Sequence, residues 1–175
     1  MVDCDPVRKS GISATQEEHD YAQEKAREIN DYLSCRGWAQ PIVLDSGNGA
    51  QLLYRMEGEN TDANSDLWSK ALKGLSNKFS DDKVNIDMSI FNPARIWRLP
   101  GTKNCKGDNT ADRPHRFAHI IEIPQELKCN SVDLLPLLFS KEEEKAVIQA
   151  TESSFNLEQW IATYIPEIAE NVETW

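Results

Sequence analysis

Three aspartates occupy positions from which they could bind a divalent metal ion together. Asp3 and Asp5 are two residues apart in VDCDP, so on a β-strand both side chains would leave the same face. Asp87 lies among apolar residues of another predicted strand, VNIDM, where an acidic side chain without a partner is costly. If the two strands are neighbours, these three aspartates are candidate catalytic residues that hold one or two Mg²⁺ or Mn²⁺ ions. Asp3 and Asp5 taken alone also fit a solvated turn.

The segment DSGNGAQ has the composition of an anion-binding turn. Gly47 and Gly49 allow backbone amides to approach an anion closely, and Ser46 and Asn48 add side-chain hydrogen-bond donors. Gln51 follows on the predicted outgoing strand. These five residues are candidate ligands of a nucleotide, although Asn-Gly is also a common solution for an ordinary hairpin turn.

Basic residues are concentrated in one segment of an acidic chain. The 175-residue chain has a formal net charge of -10, yet residues 92–116 contain six Lys and Arg against two Asp. Arg forks match phosphate oxygens and Lys adds positive charge, so the segment suits an anionic substrate, while a solvated basic loop is the alternative. Trp97, within the segment, is predicted to lie in the core. The candidate nucleotide ligands are Arg95, Arg98, Lys103, Lys106 and His115.

Alternating hydrophobic patterns predict an α+β domain that would position these residues. A capping box at Thr15 and Glu18 begins an amphipathic helix. Two strands joined by the glycine-rich turn, a second helix, a strand within KVNIDMSIF and a strand FAHIIEI follow. This order predicts an RRM- or ferredoxin-like βαββαβ core over residues 1–127, with two helices on one face of the sheet. Apolar residues at helical spacing predict a helical extension or linker over residues 128–175.

Composition indicates where the chain acts. It has no run of about 18 apolar residues and no secretory signal at its N-terminus, so it is expected to be soluble and cytoplasmic, with no membrane partner. Its four cysteines lie far apart, without a C-x-x-C pair. We therefore expect reduced thiols rather than a zinc site or a disulfide scaffold.

Four segments resemble the motifs of the archaeo-eukaryotic primase (AEP) superfamily: VDCDPVR, SGNGAQLLYR, VNIDMSIFNPARIWRLPGT and KGDNTADRPHR. They are most similar to primase-polymerase domains of phages, plasmids and other prokaryotic mobile elements. The resemblance implies metal binding by Asp3, Asp5 and Asp87, and contact of Gly49 and Gln51 with a triphosphate. The family usually has His where this chain has Gln51. It also usually has a preceding α/β module, so the chain is expected to be a truncated catalytic core.

Template-directed nucleotidyl transfer in DNA replication is the function that the resemblance implies. A primase-polymerase core would use Mg²⁺ or Mn²⁺ and take ribo- or deoxynucleoside triphosphates. It would act on a single-stranded DNA template and primer in the cytoplasm of a prokaryotic host. The helical extension resembles a connector to a fused or associated helicase.

Two other functions are alternatives to this one. A catalytically impaired nucleotide- or DNA-binding module of a replication protein is the main alternative. A rolling-circle endonuclease is disfavoured, because the chain has no His-x-His metal pair.

Overall fold

The computed structural model describes residues 1–92 and 94–139. This part of the chain contains both β-strands and α-helices. Helices α1 and α2 span Gln16–Ser34 and Asp62–Phe79. The predicted α+β class is confirmed for this part of the chain. The strands are β1 Val2–Pro6, β2 Ile42–Asp45, β3 Ala50–Leu53, β4 Val84–Ile86, β5 Lys103–Asn104, β6 Arg116–Phe117 and β7 His119–Glu122, and two 3₁₀ helices span Met88–Phe91 and Val132–Leu138.

Five of the strands form one sheet in the order β4-β1-β3-β2-β7, and neighbouring strands are antiparallel. β1 is therefore flanked by β3 and β4. In this register Asp3 lies opposite Gln51, and Asp5 lies opposite Asn85. Because directly opposed residues share a face of the sheet, both aspartates have polar neighbours across the strand.

One face of the sheet packs against α1 and α2. Val2 and Cys4 of β1 alternate with Asp3 and Asp5, and they are buried with apolar residues of both helices. Burying a large aliphatic side chain stabilises a fold by about 1.5–3 kcal/mol, so this alternation fixes which face of β1 points inward. Asp3 and Asp5 consequently leave the opposite face. The other core residues of this face include Ala50, Leu52, Val84, Ile86, Ile29, Leu33, Leu75 and Phe79.

The predicted capping box begins α1. The Thr15 hydroxyl accepts a hydrogen bond from the Glu18 N–H, and the Glu18 carboxylate accepts one from the Thr15 N–H, at 3.1 and 2.9 Å. Both bonds satisfy N–H groups that a helix terminus otherwise leaves without a partner.

The strand predicted within KVNIDMSIF ends earlier than its pattern indicated. β4 stops at Ile86, and Asp87 caps the 3₁₀ helix that follows. The Asp87 carboxylate accepts hydrogen bonds from the backbone N–H and the hydroxyl of Ser89, at 2.7 and 2.6 Å. Such a local bond competes with strand pairing, so the chain turns at Asp87.

The strand predicted over FAHIIEI is divided in two. β6 pairs with β5 in a separate two-stranded ribbon, whereas β7 pairs with β2 in the main sheet. Ala118, between them, donates its N–H to the Thr102 carbonyl and accepts from the Gly101 N–H, at 2.9 and 2.7 Å. These bonds hold the end of the basic segment against the sheet edge.

Residues 131–139 pack onto α2, although they belong to the predicted helical extension. Leu135, Leu138 and Phe139 are buried in the same core as the sheet. The predicted helices from residue 140 onward lie outside the described residues. Within residues 1–92 and 94–139, no helix is long and apolar enough to cross a membrane.

Gly74→Ala should destabilise the protein, although alanine favours a helix over glycine by about 1 kcal/mol. A Cβ at Gly74 would collide with the carbonyl oxygen of Leu138, and overpacking of this kind costs about 1–3 kcal/mol. We expect the urea midpoint of unfolding to fall, whereas Lys70→Ala, at an exposed position of the same helix, should change it little. A more stable Gly74→Ala variant would show that residues 131–139 do not pack closely on α2.

Candidate functional site

A cavity of about 510 Å³ opens on the face of the sheet that carries Asp3 and Asp5. The residues that line it come from β1, the β2–β3 turn, β3, the end of β4 and the basic segment. Side chains from every predicted motif therefore meet at one place. Nine of the predicted site residues line the cavity: Asp3, Asp5, Ser46, Asn48, Gln51, Asp87, Arg95, Arg98 and Lys106.

Asp3 is the most strongly perturbed carboxyl group of the cavity. Burial, and then the negative charge of Asp5, raise the pKa of Asp3 to about 7, and Asp87 acts in the same direction. A hydrogen bond from Gln51 opposes this shift. The Asp87 N–H also donates to the Asp3 backbone carbonyl at 3.0 Å, which holds the two motifs side by side. Burial of Asp3 and its acidic neighbours therefore both disfavour ionisation of its carboxyl group.

Asp87 is placed beside Asp3 but already has partners. Besides Ser89, it contacts Arg95, whose Nη2 lies 3.3 Å from Asp87 Oδ2. Burial on its own would raise the pKa of Asp87, but the bonds from Ser89 and the charge of Arg95 lower it below its usual value. Asp87 is thus held as an anion, and Arg95 supplies a positive charge next to it.

Oxygen ligands suited to a divalent cation are present in the cavity, although they do not form a preassembled cage. In residues 1–92 and 94–139 no group of three or more His, Cys, Asp or Glu side chains is arranged to hold a metal ion. The donors nevertheless fit Mg²⁺ or Mn²⁺ chemically, because both ions prefer carboxylate and carbonyl oxygens. Gln51 adds an oxygen, Oε1, which is buried and has no hydrogen-bond partner.

The glycine-rich turn is held by its own hydrogen bonds. The Gly47 N–H donates to Asp45 Oδ1 at 2.6 Å, and the Gly49 N–H donates to the Ser46 hydroxyl at 3.0 Å. These two amides are therefore engaged within the turn, and neither glycine lines the cavity. In place of the backbone amides, the turn presents the side chains of Ser46 and Asn48 to the cavity.

Close packing explains the two glycines. Gly47 has a φ of 84°, and a Cβ there would lie 2.9 Å from the Arg116 carbonyl oxygen. A Cβ at Gly49 would collide with the Cys4 carbonyl oxygen on β1. The glycines thus let the turn approach β1 and β6.

A buried hydrogen bond supports the turn from the helix side. His19 Nε2 of α1 lies 2.9 Å from Asp45 Oδ2. Burial on its own would raise the pKa of Asp45, but the hydrogen bonds from His19 and Gly47 lower it. His19 and Asp45 were not among the predicted site residues, and they act on the cavity only through the turn.

Asn104 is a cavity residue that the sequence did not reveal. Its Nδ2 donates to the Ser46 carbonyl at 3.0 Å, and its Oδ1 is buried without a partner. Asn48 is engaged in the opposite sense, because its Oδ1 accepts from the Ala14 N–H at 2.8 Å and its Nδ2 has no partner. A lone asparagine in TKNCKG has no pattern that would mark it.

The basic segment divides into residues that line the cavity and residues that anchor the segment. Arg113 pairs with Glu18 at 2.8 Å, and Arg116 donates to the Ala14 carbonyl at 2.8 Å, so both hold the segment on α1. His115 lies 2.8 Å from the Gly107 carbonyl within the segment, and the Lys103 ammonium lies 5.7 Å from the centre of the Phe117 ring. Neither His115 nor Lys103 lines the cavity, whereas Arg95, Arg98 and Lys106 do.

The prediction that Trp97 lies in the core is wrong. Trp97 is 41% exposed, and its neighbours Ile96 and Leu99 are 91% and 63% exposed. All three line the cavity. Apolar spacing alone does not distinguish a side chain that packs under a helix from one on a loop beside a cavity.

Comparison with known proteins adds no relative to these observations, because no family model, curated protein or solved structure matches the chain. The resemblance to the primase superfamily therefore stays a prediction. The function of the chain is inferred from the geometry of its cavity.

Asp3→Asn should stabilise the protein at alkaline pH. The pKa of Asp3 is raised to about 7 in the folded state, whereas an unfolded Asp titrates near 4. The folded state therefore loses stability as the pH rises from about 4 to about 7, and Asn cannot ionise. In metal-free buffer we expect the free energy of unfolding of Asp3→Asn to exceed that of the parent by about 4 kcal/mol at pH 8, since each pKa unit corresponds to about 1.4 kcal/mol, and to differ little at pH 4.

Urea unfolding at the two pH values measures this difference. Asp108→Asn, at an exposed position, is the matched control and should show no such change with pH. If Asp3→Asn changes the free energy of unfolding equally at pH 4 and pH 8, the raised pKa of Asp3 is contradicted.

Proposed function

We propose that this chain is the catalytic core of a DNA primase-polymerase of the AEP type, which joins nucleotides on a single-stranded DNA template. The observation that carries the proposal is the convergence of three aspartates, a polar turn and three basic residues on one cavity. These groups come from segments that are far apart in the chain. Acidic oxygens beside an array of Arg and Lys are the groups that metal-dependent phosphoryl transfer requires.

The strand order supports the finer assignment of an RRM- or ferredoxin-like fold. The first four strands and two helices follow one another as βαββαβ, and the strands lie in the order β4-β1-β3-β2. This is the arrangement of a split βαβ unit. β7 extends the sheet at the β2 edge.

The cavity residues have separate roles in the proposed reaction. Asp3, Asp5 and Asp87 would hold the divalent cations, which when bound favour attack by a 3'-hydroxyl and stabilise the leaving pyrophosphate. Arg95, Arg98 and Lys106 would neutralise and orient the triphosphate. Ser46 and Asn48 would add hydrogen bonds from the turn, as their places on the cavity wall allow.

The partners follow from this reaction. Nucleoside triphosphates and a primer on single-stranded DNA are the proposed substrates, and a fused or associated helicase is a proposed partner. The proposed setting is the cytoplasm of a prokaryotic host.

A second candidate function is a nucleotide- or DNA-binding module without turnover. The observation that favours it is the state of Asp87, whose carboxylate is engaged by Ser89 and Arg95. The absence of a three-residue metal group in the described part of the chain points the same way. Such a module would bind a triphosphate through its basic residues and leave it intact.

Asp87→Ala distinguishes the two candidates. If the chain is a polymerase core, we expect primer extension with Mn²⁺ to fall about 100-fold or more, which corresponds to about 2.7 kcal/mol in the barrier. Asp82→Ala, which removes an exposed acid ahead of β4, is the control and should keep full activity. Primer extension should be measured together with calorimetric binding of Mn²⁺ and nucleoside triphosphate.

Each outcome selects one reading. Extension by the parent that Asp87→Ala loses supports the polymerase core. Binding of nucleotide without extension supports the module, and absence of both would refute the nucleotide site. Extension that survives Asp87→Ala would remove Asp87 from the mechanism.

A further inference from the structure

Gln51 faces the crowded carboxylates from the neighbouring strand. It lies on β3 directly opposite Asp3, and both residues line the cavity. Only 3% of Gln51 is exposed, so its amide has almost no access to bulk water. Whatever satisfies this amide must be a group within the cavity.

The carbonyl end of the Gln51 amide lacks a partner. Gln51 lies opposite Asp3 on the neighbouring strand, and its side chain lowers the pKa of the Asp3 carboxyl group. Its Oε1 is buried and has no hydrogen-bond partner. Leaving such an oxygen without a partner destabilises the fold, because its lost hydration is not replaced by a hydrogen bond. A lone-pair acceptor, such as a metal cation or a hydrogen-bond donor, would satisfy this oxygen.

The chemistry of the oxygen selects the ligand. A carbonyl oxygen cannot donate a hydrogen bond to the oxygens of a triphosphate, because both are acceptors. It is, however, an ordinary ligand of Mg²⁺ or Mn²⁺. The buried, unpartnered Oε1 can therefore take a cation as its partner.

We propose that Gln51 Oε1 is a direct ligand of the divalent cation that Asp3 binds, and that Gln51 is not a contact for the triphosphate. This inference rests on the proposed function, since it concerns the same metal site. It differs from what the resemblance implies for this position. Gln51 would add an oxygen ligand to carboxylates that, within residues 1–92 and 94–139, are not arranged as a three-residue metal group.

Calorimetric titration of Mn²⁺ in the absence of nucleotide tests the proposal. Gln51→Leu removes the oxygen and should weaken Mn²⁺ binding about tenfold or more, whereas Gln51→Glu adds a charged oxygen and should tighten it. Asn85→Leu is the matched control: Asn85 lies opposite Asp5 in the same sheet but is exposed and does not line the cavity. It should leave Mn²⁺ binding unchanged.

Gln51→His separates direct binding from a general effect of charge. Imidazole favours Zn²⁺, whereas a carbonyl oxygen favours Mn²⁺, so a direct ligand at this position should set metal preference. We expect Zn²⁺ to displace bound Mn²⁺ from Gln51→His at about one tenth of the concentration that the parent requires. The spin-resonance signal of released Mn²⁺ measures this displacement.

The outcomes separate the inference from the proposed function. Equal Mn²⁺ affinity in the parent and Gln51→Leu, with binding lost in Asp3→Asn, would reject the role of Gln51 and leave the metal site standing. No Mn²⁺ binding by the parent would reject both. If Gln51→Leu does not fold, as judged by thermal unfolding, unchanged metal preference in Gln51→His overturns the inference and a shifted preference supports it.

Discussion

The pairing of β1 between β3 and β4 is the constraint on which the site depends. Apolar residues of β1 must face the helices, so Asp3 and Asp5 must face away from them. The same register places Gln51 across from Asp3 on one side. On the other side, the Asp87 N–H donates to the Asp3 carbonyl. A slip of one residue would move both aspartates into the core, where unpaired carboxylates are too costly to bury.

The pKa values of two carboxyl groups in the cavity, Asp3 and Asp87, are shifted in opposite directions. Burial disfavours ionisation of Asp3, and the negative charge of Asp5 adds to this effect. Asp87, in contrast, is stabilised as an anion by Ser89 and Arg95. A divalent cation would favour the ionised form of Asp3. At Asp87 it would compete with Arg95 for the carboxylate. The proposed polymerase and the proposed binding module differ in which of these interactions prevails.

The turn between β2 and β3 holds part of the cavity wall in place. Its amides bond to Asp45 and Ser46, and its glycines allow close packing on β1 and β6. His19 secures Asp45 from α1. Arg113 and Arg116 likewise use their charge to fasten the basic segment to the start of α1. Part of the local excess of positive charge therefore positions the segment, and only part of it faces the cavity.

The sequence by itself determined the elements and the side-chain chemistry. The capping box predicted the start of α1, because this signal is local. The residue types of Asp3, Asp87 and Arg95 also indicated an acidic site beside bases. Residues after 139 lie outside what the structure describes.

Only the tertiary structure decided which of these residues meet. The end of β4 at Ile86 depends on the bond between Asp87 and Ser89, which strand periodicity does not show. The place of Asn104 in the cavity and the exposure of Trp97 arise from the path of a loop across the sheet. Contacts between distant segments depend on that path, which cannot be predicted from a pattern of neighbouring residues.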